Sequence, residues 1–273
     1  MNMKKRIIVA VVLIPLLLAI LYAAPKIVMT IALGLLCAIS TFELLYSTGL
    51  VRHFRANLYS ALVAAVIPLW CHFGSVRVWA EVVVLIFFVI LFAEMMLSNP
   101  KLRFEQVCMC FTAAVVIPYL FSGLVRIMTP AGGRYVIAIP FIVAFLSDTG
   151  AYFIGCRFGK HKMAPVISPN KSVEGLLGGI LTAVIGMLLY ALIMEKVFYC
   201  QVNYGYAFVY GVVGSLAGAF GDLCFSAVKR QTGIKDYGNL IPGHGGILDR
   251  FDSMLVVGPF VELMLVLIPV VVK

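Results

Sequence analysis

Charge is what this sequence has least of. Asp, Glu, Lys and Arg make up 12% of its 273 residues, where a soluble globular domain carries roughly 25%. With 63% of the chain hydrophobic, too little polar surface remains to coat a water-soluble globule, so soluble enzymes and soluble binding modules are excluded. Acidic side chains number 12 against 21 basic ones, for a net charge of +9. In a soluble chain that excess would suggest nucleic acid. In an apolar chain it marks cytoplasmic loops, and no nucleic-acid partner is expected. The seven cysteines (37, 71, 108, 110, 156, 200, 224) form no CxxC pair and have no histidine at metal spacing. That excludes a zinc site and a disulfide framework, and leaves the cysteines as small packing residues. No GxxxxGK[ST] occurs, which excludes a P-loop. Aspartate is missing from the whole first half: all five lie at 148, 222, 236, 249 and 252.

What the chain has instead is long apolar runs. A bilayer-spanning helix needs about 20 mostly apolar residues. About nine stretches qualify, roughly 7–24, 27–47, 57–73, 77–97, 104–127, 135–156, 173–195, 205–228 and 253–272. The first follows MNMKKR but exceeds the ~7–15 residues of a signal-peptide core, so it reads as an uncleaved span. Pro25, Asn99-Pro100, Pro130 with Gly132-Gly133, and Ser168-Pro169-Asn170 punctuate the breaks. With nine alternating spans, 15 of the 21 Lys and Arg fall on one side and 6 on the other. The positive-inside rule then puts the N-terminus in the cytoplasm and the C-terminus outside. The expected fold is an all-α polytopic membrane protein with about nine transmembrane helices. Residues 1–134, with Glu43, Glu81, Glu94 and Glu105 but no Asp, read as a lipid-facing scaffold of helices one to five. Residues 135–273 read as the catalytic domain, helices six to nine with cytoplasmic loops 157–172 and 229–251.

Glycine is patterned on two of these helices. Gly211, Gly214, Gly218 and Gly221 share one face, as do Gly175 and Gly179. Such ridges let helix backbones approach closely, either inside one chain or in a homodimer.

Ionisable groups inside membrane spans are expensive and point to function by default. Asp148 and Asp222 each lie about two turns from a cytoplasmic helix end. Ser226 and Lys229 share the face of Asp222 at i+4 and i+7, lining up carboxylate, hydroxyl and ammonium. A buried Asp–Lys or Asp–Ser pair that merely joins helices is the plainer alternative. Asp249 and Asp252 sit three apart at the start of the last span. Asp252 is placed to be an N-cap, whereas Asp249 calls for another explanation, a hard divalent cation shared with phosphates. The run 242–246, PGHGG, is neither helix nor strand, and its glycine amides suit an anion. His244 within it has three open readings: phosphate donor, base or solvated loop residue. Lys171, before a helix expected to be capped by Ser172, is placed for phosphate or is an ordinary cytoplasmic lysine. Arg157, Lys160 and Lys162 are placed for anionic headgroups. The residues alone fit metal-dependent phosphoryl or nucleotidyl transfer to a lipid. The alternative is a cation- or proton-coupled transporter using Asp148 and Asp222.

The stretch 226–252, SAVKRQTGIKDYGNLIPGHGGILDRFD, resembles the signature of the phosphatidate cytidylyltransferases, also called CDP-diacylglycerol synthases. Its fixed positions are met by Ser226, Lys229, Arg230, Lys235, Asp236, Gly238, Pro242, His244, Gly245, Gly246, Asp249, Arg250 and Asp252. The upstream run SDTGAYFIGCRFGKHKMAPVISPNKSVEG is similar to the family's second block, with Ser172 where Thr is common. The two blocks cover 56 of the 273 residues. A CDP-alcohol phosphotransferase would need DGxxAR, which Asp249-Arg250-Phe251-Asp252 does not continue. The resemblance implies transfer of CMP from CTP to phosphatidic acid, giving CDP-diacylglycerol and pyrophosphate, with Mg2+ and room for a second cation. For that reaction, spacing and charge type single out Asp222 and Asp249 as main metal ligands, with Asp252 and Asp148 secondary. Catalysis would fall to Asp222, Ser226, Lys229 and Asp249. Lys171, Arg230, His244, Gly245, Gly246 and Arg250 would bind substrate phosphates. The expected setting is a bacterial inner membrane, with membrane lipid as partner and the site facing the cytoplasm.

Overall fold

The computed structural model describes residues 19–74, 77–97, 102–130, 132–240 and 245–272. Seven helices among them are long and apolar enough to cross a membrane. They are α1 (Lys26–Ser47), α2 (Phe54–Phe73), α3 (Arg77–Leu97), α4 (Phe104–Met128), α5 (Gly133–Phe158), α6 (Val173–Lys196) and α7 (Tyr204–Gln231). The protein is an all-α polytopic membrane protein. Of the expected first span, 7–24, residues 7–18 lie outside the described residues, as do Asn99, Pro100, Lys101, Pro242, His244 and Lys273.

The expected last span, 253–272, is shorter than read. Leu248–Phe251 forms a one-turn helix, α8, and Met254–Leu267 forms α9, 14 residues long. At 1.5 Å per residue α9 is about 21 Å, short of a ~30 Å hydrocarbon core. The cause is local. A residue before proline is pushed out of the helical region, and Ile268, preceding Pro269, has φ −140° and ψ 71°. The chain leaves the helix there and pairs Val271–Val272 antiparallel with Gln201–Val202.

The chain divides into two compact units, Met1–Arg134 with Asp236–Asp249, and Tyr135–Lys235 with Arg250–Lys273. The signature stretch is thus shared between them. In the first unit α1 and α2 pack backbone to backbone. A methyl group at Gly34 would stand 2.6 Å from the Ala65 carbonyl oxygen. Thr41 Oγ1 donates to the Ala113 carbonyl at 2.8 Å, tying α1 to α4. Both helices carry a π-helical turn, Glu43–Ser47 in α1 and Thr112–Val116 in α4. Such turns mark irregular, often functional, points in helices.

The second unit is built on glycine. Gly175 and Gly179 bring α6 against α5, where added methyl groups would lie 2.9 Å from the Ala151 oxygen and 2.7 Å from the Ser147 oxygen. On α7, Gly211 faces Val184 of α6, Gly214 faces Val143 of α5, and Gly218 faces Val257 of α9. The ridges are filled inside the chain, which takes these faces away from a homodimer. A Gly179→Ala substitution is expected to destabilise the protein by about 1–3 kcal/mol through overpacking, read as a lower melting temperature in detergent. Outward faces keep large apolar side chains such as Leu85, Val89, Leu177 and Leu181 exposed, as lipid contact requires.

Between α5 and α6, residues Lys162–Ala164 (β1) and Ser168–Ser172 (β2) form a two-stranded antiparallel pair. Glu174 braces it, accepting from the backbone N–H of Lys160 (3.1 Å) and of His161 (3.2 Å). Ser172 caps α6 as expected, its Oγ accepting from Gly175 N at 3.1 Å.

Candidate active site

Within the second unit the chain collects alternating charges. The Ser172 cap fixes where α6 begins and so places Lys171 just ahead of it. There Lys171 Nζ pairs with Asp222 Oδ2 of α7. One turn on, Ser226 Oγ donates to Asp222 Oδ1 at 3.2 Å, as the i+4 spacing predicts. Lys229, on the same helix, pairs with Asp252 Oδ2 at 3.9 Å. Gly221 makes room for this, since a methyl group on it would touch the Asp252 carbonyl at 3.0 Å.

Asp252 is not a helix cap. Helix α9 starts at Met254 with Ser253 as cap residue and no side-chain cap bond. The carboxylate instead accepts from Ser253 N at 2.8 Å and meets Lys229. Ser253 Oγ reaches back to Asp148 Oδ2 at 3.5 Å. Asp148 lies within electrostatic reach of Asp222, Lys171 and Arg250, and Asp252 within reach of Asp222, Lys229 and Asp148. Three carboxylates and three cations therefore act on one another inside this unit. The pairs differ in depth. Lys229 and Asp252 are each 10% exposed at the side chain, whereas Lys171 and Asp222 are about a quarter exposed at 24% and 27%.

Arg230 is exposed, with Nε donating to the Ile167 carbonyl at 3.1 Å and Nη1 to the Ile234 carbonyl at 3.4 Å. It ties the turn between β1 and β2 to the turn after α7. Arg250 is exposed.

In the first unit, Asp249 organises the glycine turn. Its Oδ2 accepts from Tyr237 N at 2.7 Å and from Gly246 N at 3.0 Å. Gly245 has φ +83°, a conformation that glycine adopts without strain. The Gly246 amide, expected to face a triphosphate, is held here by Asp249. The next two amides are committed as well. Glu43 of α1 accepts from Ile247 N through Oε1 at 3.1 Å and from Leu248 N through Oε2 at 3.0 Å. Reading residues 1–134 as scaffold missed this glutamate. The available signal was a single acid in the apolar run LCAISTFELLYS, which the rule for intramembrane charge flags. His244 lies outside the described residues.

The donors suit a hard cation. Among the described residues no three of His, Cys, Asp and Glu are arranged to hold a metal ion. Magnesium asks for less, one or two carboxylates with phosphate and water completing its shell, and the aspartate oxygens of the second unit are donors of that kind.

Fold and site together define an integral membrane protein organised around a compact cluster of opposed charges. The profile of the Cytidylyltransferase family matches residues 4–268. Proteins named phosphatidate cytidylyltransferase are similar to this chain, two of them over nearly the full length. The one from Staphylococcus epidermidis is 35% identical over 97% of this chain and 99% of its own. The one from Staphylococcus aureus is 33% identical over the same shares. A third, from Staphylococcus saprophyticus, is 37% identical over 65% of this chain and 66% of its own. The chain belongs to the phosphatidate cytidylyltransferase family and is an enzyme.

Proposed function

We propose that the enzyme transfers CMP from CTP to phosphatidic acid, producing CDP-diacylglycerol and pyrophosphate. The observation that carries this reading, beside the family, is the paired cluster Lys171–Asp222 and Lys229–Asp252, with Asp148 and Arg250 acting on it. Such a cluster offers ammonium groups to phosphates and carboxylates to a cation within one unit. A phosphate oxygen of phosphatidic acid attacks the α-phosphorus of CTP in line. A P–O bond forms, the bond to the β-phosphate oxygen breaks, and its electron pair leaves with pyrophosphate. The attacking oxygen is already anionic, so no strong base is required, and catalysis rests on positioning and charge neutralisation. Lys171, Lys229 and Arg250 neutralise phosphate oxygens, and Ser226 keeps Asp222 oriented. Bound magnesium would neutralise charge on the transferred and leaving phosphates. Asp222 leads its proposed ligands, with Asp252 and Asp148 beside it. Asp249 stays in the set on its place in the signature. The proposed setting is a bacterial inner membrane with the site on the cytoplasmic side, where CTP is found and where the positive-inside count puts the basic loops.

The test is incorporation of labelled CMP from CTP into lipid by purified protein, with phosphatidic acid present or omitted. Product is expected to require both substrates. Adding EDTA is expected to lower the rate by about a hundredfold or more, since metal charge stabilisation is worth several kcal/mol and ~1.4 kcal/mol is tenfold. No incorporation, together with ion-driven flux in proteoliposomes, would favour the transporter reading.

A further inference from the structure

Glu43 is 7% exposed and its carboxylate spends both oxygens on consecutive backbone amides, those of Ile247 and Leu248. These partners lie 204 and 205 residues away in sequence. A buried carboxylate is costly unless its hydrogen bonds are made, so the side chain and the turn specify each other. The same carboxylate explains two glycines of the signature. A methyl group at Gly238 would sit 2.5 Å from Glu43 Oε1, and one at Gly246 2.5 Å from Oε2. Both glycines have ordinary backbone angles, since neither is among the positive-φ residues. Room for the carboxylate is therefore what these positions provide. With Asp249 Oδ2 holding Tyr237 N and Gly246 N, three consecutive amides, 246 to 248, are oriented by two carboxylates.

We infer that Glu43 is a positioning residue for the nucleotide. Carried on α1, at a π-helical turn, it sets the backbone amides of Ile247 and Leu248, directly before Asp249. The inference rests on the cytidylyltransferase reading of that segment. It makes the N-terminal half part of the catalytic apparatus instead of a lipid-facing support.

The test is Glu43→Gln in the full-length protein, with KM for CTP and for phosphatidic acid measured separately. Gln keeps the shape but turns an NH2 toward one of the two N–H donors. The apparent KM for CTP is expected to rise about 10–100-fold, as is typical when a partner orienting a site residue is lost, while KM for phosphatidic acid stays within about twofold. A purely structural role would lower the active fraction, and hence kcat, without moving either KM, and that outcome overturns the inference. Should the Gln variant fail to fold, Gly246→Ala replaces it. In the wild-type background that alanine is expected to raise the CTP KM by the same order. In a Glu43→Ala background it is expected to add nothing further, because the clashing carboxylate is gone. Full additivity of the two substitutions overturns the inference too. Wild-type protein that incorporates no CMP at all would fail the functional reading instead, which keeps the two failures apart.

Discussion

Replacing Asp222 by Asn is expected to lower magnesium-dependent CMP transfer by about a thousandfold while leaving the protein folded. The two halves of that expectation have different origins. Asn keeps the size of Asp and still offers an oxygen to Ser226 Oγ, now 3.2 Å from Asp222 Oδ1. The lost ion pair with Lys171 is about a quarter exposed on each side, and pairs that open to solvent contribute no more than about 1 kcal/mol. The melting temperature in detergent should therefore fall only slightly. Activity is different, because a charge aimed at the reacting centre acts most strongly where the transition state develops charge. Removing one such group typically costs about 10²–10³ in rate, and Asp222 serves twice, as proposed metal ligand and as the anchor of Lys171. The measurement is kcat and KM for CTP over a magnesium titration. Near-normal turnover at every magnesium concentration, low as well as high, would remove Asp222 from the metal set. A rate recovered at high magnesium would instead locate the loss in metal affinity.

Much of the fold can be read from local rules because its causes are local. The length of an apolar run and the punctuation around it give α3 and α6 almost to the residue: the runs 77–97 and 173–195 become Arg77–Leu97 and Val173–Lys196. The Ser172 cap and the Asp222–Ser226 bond follow from spacing within one helix. Helix α9 was misread because hydropathy alone ignores what Pro269 does to Ile268. The glycine ridges were legible as close-packing faces, but a ridge does not say which helix fills it. Val143, Val184 and Val257 come from three different helices.

The site was legible as a set of residues and illegible as a set of pairs. Helical phasing puts Asp222, Ser226 and Lys229 on one face, and the Asp222–Ser226 bond follows it. The partners Lys171 of Asp222 and Asp252 of Lys229 come from elsewhere in the unit. Lys171 arrives from the cap of α6 and Asp252 from the turn before α9, and neither geometry is written in the spacing of α7. Glu43 shows the same limit more sharply. Its partners are backbone amides of the far half of the chain, and amides carry no residue identity for a sequence to display.

The largest stability effect is expected at the deeper pair. In Lys229→Met, Asp252 loses its ammonium partner in surroundings where both side chains are only 10% exposed. An uncompensated buried charge costs about 3–5 kcal/mol, and here Asp148 and Asp222 act on the same carboxylate, so repulsion adds to desolvation. The double variant Lys229→Met with Asp252→Asn is expected to regain most of that stability, because the asparagine oxygen can still accept from Ser253 N, now 2.8 Å from Asp252 Oδ1. Both variants are expected to be inactive, having lost a phosphate-neutralising cation. Thermal unfolding in detergent beside a CMP-incorporation assay separates the two properties. A Lys229→Met protein that melts with wild type would show that Asp252 does not depend on this lysine. If instead the double variant is stable and dead, the two lysines have a common logic. Three aspartates gathered in one unit repel one another, and Lys171 and Lys229 offset that repulsion. Those two ammonium groups are then already in place when phosphates enter.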